Sequence, residues 1–200
     1  MNLSRKKHSD IPKTIFDYSV TFISLILLTP VILILAISIK LTGKGPVFYS
    51  QKRTGKDGKP FIIYKFRSMH DVDDQGLVLI SDKDDKRITT IGKFMRKHKF
   101  DEFPNLINVL KGEMSIVGPR PEQQFYIDLI VQRDPRYQQL LLIKPGITSW
   151  GQIKYGYASN VDEMICRMEY DLFYLEKRSF LFDMKIAFKT LALIFKGQGI

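Results

Sequence analysis

The chain has 200 residues, 44% apolar and 26% charged, which excludes broad disorder and fits one domain of ordinary core size plus an attachment segment. A net charge of +10 calls for anionic partners: nucleic acid, an anionic lipid surface or phosphorylated substrates. The single cysteine, Cys166, excludes an internal disulfide, and neither it nor His8, His70 and His98 show metal-ligand spacing.

No charged residue occurs from Tyr18 to Ile39. At ~1.5 Å per residue this run is long enough to cross a hydrocarbon core of about 30 Å. It is too long for the apolar core of a cleavable signal, and Lys40 and Gly43-Lys44-Gly45 follow it where a small-residue cleavage site would stand. Pro30 removes one helix hydrogen bond and predicts a kink at the centre, where the Thr29 hydroxyl can satisfy a freed carbonyl. Both flanks are basic, with Arg5, Lys6, Lys7 and Lys13 before the run and Lys40, Lys44, Lys52 and Arg53 after it. Positive flanks stay cytoplasmic. A helix that dips in and returns satisfies both flanks, and a plain single span remains the alternative. The stretch from Phe180 to Lys196 carries Asp183, Lys185 and Lys189 among apolar residues, too polar to span. It suits either a helix on a membrane surface or a globular helix with a polar stripe.

The remaining elements follow in chain order. Pro46 to Gln51 reads as a strand, Thr54 to Pro60 as a turn with Asp57-Gly58 at its tip, and Phe61 to Phe66 as the return strand, giving a hairpin over 47–66. The acidic run from Asp71 to Asp85 lacks the ligand order and closing glutamate of a calcium loop and reads as solvated. Ile91 to Lys99 is a basic helix. A second helix starts at Pro104, a favoured first position, and stops at Gly112. Glu122 to Gln132, Tyr137 to Ile143 and Val161 to Lys177 are further helices, and Pro145-Gly146 is a turn. The fold class is α+β, mainly helical with a short β-hairpin.

The window 94–122 carries the chemistry. Asp101 and Glu102 stand just before the expected helix start, where the helix dipole favours acids by ~0.3–1 kcal/mol whatever their role. The same helix end binds phosphate, and Arg96, Lys97, Lys99 and Arg120 surround it in sequence. An ionised aspartate among cations is what a carboxylate nucleophile needs to approach an anionic phosphoryl centre. In Gly118-Pro119-Arg120-Pro121-Glu122 two prolines restrict the backbone around one arginine, which suits pre-organised phosphate recognition, though a rigid loop with a surface arginine reads the same way. Lys65 and Arg67 in Lys65-Phe66-Arg67-Ser68-Met69 read as a solvated strand end.

These residues resemble the bacterial sugar transferases, the monotopic polyprenyl-phosphate sugar-1-phosphate transferases. The resemblance runs from about Ile15 to Gly199 through Thr29-Pro30, Gly45-Pro46-Val47-Phe48-Tyr49-Ser50-Gln51, Lys65-Phe66-Arg67-Ser68-Met69, Arg96 with Asp101-Glu102, Asn108-Val109-Leu110-Lys111-Gly112-Glu113-Met114-Ser115, Val117-Gly118-Pro119-Arg120-Pro121 and Lys144-Pro145-Gly146-Ile147-Thr148. Tyr170-Asp171 and Leu181-Phe182-Asp183 follow.

The resemblance implies a monotopic protein of the inner membrane. Residues 1–40 would be a basic segment and a Pro-kinked reentrant helix, and residues 41–200 a cytoplasmic catalytic domain with a membrane-surface C-terminal helix. It implies a ping-pong reaction in which Asp101, with Mg²⁺ at its carboxylate, attacks the β-phosphorus of a UDP-sugar. UMP leaves, and polyprenyl phosphate then takes the phosphosugar. Glu102 would act as a base for the lipid phosphate or as an orienting group. Lys65, Arg96 and Arg120 map onto phosphate- or nucleotide-binding positions, and Asp183 onto a further acidic position. The product would initiate assembly of a glycan. The implied partners are UDP-sugar, polyprenyl phosphate and the bilayer, with no nucleic acid and with a homodimer left open. After Thr148 the chain lacks the Gly-Arg-Asn stretch of members specific for modified amino sugars, so no sugar is carried over. Many relatives carry extra N-terminal membrane helices and a further domain, and this chain reads as a minimal form. Two rivals remain on residues alone. One is a membrane-anchored nucleic-acid binder, against which no nucleic-acid motif is present. The other is a scaffold acting through its C-terminal region.

Overall fold

The computed structural model describes residues 11–70 and 85–197. The basic residues Arg5, Lys6 and Lys7, with His8, and the acidic run up to Asp84 lie outside the described residues. Helix α1 runs from Ile11 to Leu41 as one element through Pro30. A charge-free run forms a helix because helical geometry satisfies each backbone group within the segment. The Thr29 hydroxyl donates to Leu25 O at 2.6 Å. The carbonyl stripped by Pro30 is that of Ile26, one residue further on, so the expected repair falls one position short. Among the described residues α1 is the one helix long and apolar enough to cross a membrane.

The hairpin forms as the sequence predicts. Strands β1 (Phe48–Thr54) and β2 (Pro60–Phe66) pair antiparallel, Phe48 opposite Phe66 and Thr54 opposite Pro60. The turn between them places Asp57 and Gly58 at positive φ, the conformation that an Asp-Gly pair tolerates best. Phe61 and Ile63 on one face of β2 pack with Val109 and Met114. Helix α2 (Thr90–Lys97) is capped by the Thr89 hydroxyl, which accepts from Gly92 N.

The next segment differs from expectation. No helix starts at Pro104. A 3₁₀ turn spans Phe100–Asn105, and α3 covers only Leu106–Leu110 before Gly112 stops it at positive φ. Two asparagines impose this shape. Asn105 Oδ1 accepts from Tyr64 N at 3.1 Å, and Asn108 Nδ2 donates to Ile62 O at 2.7 Å. Both stitch the segment to the free edge of β2, which a regular helix from Pro104 does not allow.

A second, parallel pair was not legible in the sequence: β3 (Ser115–Val117) against β4 (Gly146–Thr148). Gly146 is therefore strand, not turn. A Cβ there would sit 2.1 Å from Gly118 N, and one on Gly118 would sit 2.4 Å from Lys144 O, so the backbones approach too closely for any side chain. The crossover between these strands holds α4 (Gln124–Arg133) and a 3₁₀ segment, Pro135–Leu142, where an α-helix was expected. Helices α5 (Trp150–Lys154), α6 (Val161–Lys177) and α7 (Phe180–Phe195) complete the chain. Tyr126, Ile127 and Ile130 of α4 pack on Met164, Met168 and Leu172 of α6.

Both ends of α1 rest on this body. Near its start Lys13 pairs with Asp183 of α7 at 2.8 Å and donates to Val117 O, while Asp17 accepts from Ser115 Oγ at 2.6 Å. Near its end Leu35 and Ile39 pack with Phe66 and Met95. Arg67 does not end a solvated strand. Buried at 8% exposure, it donates to Ile39 O, Gly43 O and Lys44 O and so closes the C-terminus of α1. Between these anchors Phe22, Ile23, Ile26, Leu27, Leu33, Ile34 and Ile37 are exposed. Helix α7 turns Asp183 and Ile186 inward and leaves Leu181, Phe188, Leu191 and Phe195 exposed, which decides against a fully packed globular helix.

Charge-assisted hydrogen bonds are worth ~1.5–3 kcal/mol each and do not add fully. Arg67→Met is therefore expected to lower stability by about 3 kcal/mol, read as a lower thermal unfolding midpoint of the detergent-solubilised chain. Arg67→Lys, which keeps the charge but loses the fork, should restore less than half of the loss.

Candidate active site

Four separate pieces of backbone deliver charged side chains to one recess: the end of β2 (Lys65), α2 (Arg96), the 3₁₀ turn (Asp101, Glu102) and the loop after β3 (Arg120). The turn is aimed by Lys99, whose φ of 55° is left-handed and reverses the chain between α2 and the dyad. Gly92 lets α2 sit on the backbone of Ser68, since a Cβ there would lie 2.0 Å from Ser68 O. That contact sets Arg96, whose Nε donates to Ser68 Oγ at 3.0 Å.

The two acids have different environments. Glu102 Oε1 accepts from Lys65 Nζ at 2.7 Å and from Arg120 Nη1 at 3.4 Å. Burial alone pushes its pKa up, but Lys65, Arg120 and Lys99 outweigh burial and hold it well below the usual carboxylate range. Among the described residues no donor hydrogen-bonds the Asp101 carboxylate. Burial, with Glu102 beside it, raises the Asp101 pKa, and Lys65, Arg96 and Arg120 offset only part of that rise. A helix dipole accounts for little here: α3 is five residues long, and the charges acting on the pair are those of Lys65, Arg96, Lys99 and Arg120. Lys99 is pushed down by burial, against the pull of Glu102.

Behind the dyad lies a layer that the sequence reading missed. Glu122 is 5% exposed and faces three arginines: Arg167 Nη2 at 2.5 Å, Arg53 Nη1 at 3.2 Å and Arg120 Nε at 4.0 Å. Arg120 thus bridges Glu102 and Glu122 and cannot swing freely. Asp171 accepts from Gly151 N at 2.8 Å, and burial lifts its pKa to about 6 although Gly151 and Arg167 oppose the rise. The usable signal was local. Glu122 directly follows the proline-bracketed arginine, and Arg167 and Asp171 are spaced i, i+4 on the buried face of α6.

Five of the six residues singled out from sequence, Lys65, Arg96, Asp101, Glu102 and Arg120, act on one another electrostatically. Asp183 does not join them. It is 1% exposed, with Tyr174 Oη at 2.6 Å and Lys13 Nζ at 2.8 Å, and it anchors α1 to α6 and α7. No cluster of three or more acidic, histidine or cysteine ligands occurs among the described residues. Asp101, whose carboxylate accepts no hydrogen bond among the described residues, is the residue that would hold a magnesium ion of the kind bound by one or two carboxylates and completed by substrate phosphates.

The family described as bacterial sugar transferase matches residues 8–197. Over 183 residues the chain is 39% identical to a UDP-N-acetylgalactosamine-undecaprenyl-phosphate N-acetylgalactosaminephosphotransferase of Aeromonas hydrophila, covering 92% of this chain and 43% of that protein. It is 40% identical to a UDP-glucose:undecaprenyl-phosphate glucose-1-phosphate transferase of Escherichia coli strain K12, covering 90% of this chain and 39% of that protein. Against the exopolysaccharide production protein PSS of Rhizobium leguminosarum it is 36% identical, covering 94% of this chain and 97% of the relative. The chain spans about two-fifths of the length of the first two relatives. With a family match over nearly its whole length, this chain belongs to the bacterial sugar transferase family.

Proposed function

We propose that the chain transfers a sugar-1-phosphate from a UDP-sugar to undecaprenyl or a related polyprenyl phosphate at the cytoplasmic face of the inner membrane, initiating assembly of a glycan. The observation that carries this reading is the unequal dyad: one carboxylate neutralised by Lys65 and Arg120, its neighbour without a hydrogen-bond donor among the described residues. The names of the relatives supply the substrate class, UDP-sugar and undecaprenyl phosphate, and they differ in the sugar. No sugar is therefore proposed.

In this mechanism an Asp101 carboxylate oxygen attacks the β-phosphorus of the UDP-sugar. The bond from that phosphorus to the bridging oxygen breaks, UMP departs with the bond's electron pair, and an acyl-phosphate joins Asp101 to the sugar phosphate. A phosphate oxygen of the polyprenyl phosphate then attacks the same phosphorus, the acyl-phosphate bond breaks, and the Asp101 carboxylate returns. Lys65, Arg96 and Arg120 hold the charge that the phosphoryl oxygens develop. Glu102 keeps Lys65 and Arg120 aimed at Asp101. Magnesium at Asp101, when bound, would neutralise the diphosphate.

The membrane reading rests on α1. A helix of 31 residues would be ~46 Å long if straight, yet Lys13 and Asp17 near one end and Leu35 and Ile39 near the other are all fixed to one body. A plain span would carry one of those ends across the bilayer. Both anchors on one side, with exposed Phe22 to Leu27 between them, favour a helix that enters the lipid and returns, bent near Pro30.

Incubation of the purified chain with a panel of UDP-sugars, polyprenyl phosphate and Mg²⁺ should release UMP with at least one donor. Asp101→Asn should lower kcat at least about 10³-fold with folding intact; normal turnover would exclude the mechanism. The pH dependence has a definite sign. The ionised carboxylate attacks, and its pKa is raised, so kcat/KM should increase with pH through a limb above the usual aspartate range. Removing a cation disfavours the anion, so Lys65→Met should move that limb to higher pH. Glu122→Gln leaves three arginines without their shared anion. It should cost about 3 kcal/mol in stability and raise KM for the UDP-sugar more than it lowers kcat, because Arg120 loses its fixed aim.

A further inference from the structure

An open recess lies beside the first turns of α1, lined by Lys13, Asp17, Tyr18, Lys56, Lys144 and Arg178, with an apolar wall that includes Met114 and Ile143. It shares no residue with the dyad site. One anion and two of its cations are already committed. Asp17 accepts from Ser115 Oγ and Ile116 N, Lys13 is held by Asp183 and Val117 O, and Arg178 hydrogen-bonds Tyr174. Lys56 and Lys144 have no ion-pair partner among the described residues. Lys144 Nζ and Tyr18 Oη converge over Gly112, where an added Cβ would meet them at 3.6 Å and 3.1 Å.

The position of the recess selects the ligand. Tyr18 is both a lining residue and the first residue of the charge-free run, so the recess opens where α1 leaves water for lipid. Tyrosine and lysine at that depth meet headgroups, and the apolar wall suits the first atoms of an acyl chain. A soluble anion would gain nothing from that wall. We propose that this recess is a second phosphate site, distinct from the catalytic one, that takes the phosphodiester headgroup of an anionic bilayer phospholipid between Lys56 and Lys144 and so fixes the depth at which the chain sits. The proposal rests on the membrane reading of α1 and not on the phosphotransfer chemistry.

The test is native mass spectrometry of the full chain in detergent, titrated with phosphatidylglycerol or with phosphatidylcholine of the same acyl chains. Wild type should retain one phosphatidylglycerol at least about tenfold more readily than phosphatidylcholine, and Lys56→Gln combined with Lys144→Gln should abolish the difference. Lys56→Arg combined with Lys144→Arg should preserve it, which separates lost charge from lost folding. Release of UMP from UDP-sugar should be unchanged in the glutamine variant, so failure of this site and failure of the phosphotransfer reading are told apart. Equal retention by wild type and the glutamine variant would overturn the proposal. So would displacement of the lipid by millimolar inorganic phosphate, which would make the recess a site for free phosphate.

Discussion

The ion pair between Lys65 and Glu102 is the contact on which the active recess depends. It joins the end of β2 to the 3₁₀ turn, fixes a cation beside Asp101 and uses up the charge of one carboxylate so that two adjacent acids can share a small space. Without it, two anions side by side would repel each other and any diphosphate brought to them. With it, the acids divide: Glu102 is ion-paired to Lys65 and Arg120, and Asp101 accepts no hydrogen bond among the described residues. Arg120 extends the same logic backward through Glu122 to Arg53 and Arg167, so the cations over the recess are themselves held in place.

The backbone serves that pairing at the cost of regular structure. The left-handed Lys99, the 3₁₀ turn in place of a helix start, and Asn105 and Asn108 bonded to the edge of β2 all bring the dyad up to Lys65. Gly118 and Gly146 allow β3 and β4 to touch, which sets the root of the loop that carries Arg120. The second polar cluster, Lys13, Asp17, Ser115, Tyr174 and Asp183, fastens the start of the long apolar helix α1 to the body that also holds its end.

Local patterns were legible in the sequence wherever local forces decide. The hairpin followed from Asp57-Gly58 between two apolar runs, and α6 has the bounds Val161 and Lys177 that were read from sequence. The long apolar helix α1 followed from the absence of charge. What escaped was set by contacts distant in sequence. The parallel pair of three-residue strands has no periodicity to detect, and the turn around Asp101 follows tertiary bonds to β2 rather than the preference of Pro104 for a helix start. Arg67 read as a surface residue because nothing nearby in sequence announces that it closes the end of α1. Five of the six residues singled out from sequence lie within electrostatic reach of one another, while Asp183 pairs with Lys13 of α1.

The central claim is that Asp101 becomes esterified to the sugar phosphate before the lipid arrives. The most direct measurement is rapid mixing of the chain with UDP-sugar and Mg²⁺ in the absence of polyprenyl phosphate, followed by acid quench, UMP quantification and mass spectrometry of the peptide containing residue 101. The account predicts a burst of close to one UMP per chain, with the added mass of a sugar phosphate on Asp101. UMP release that waits for the lipid phosphate, with residue 101 unmodified, would contradict it.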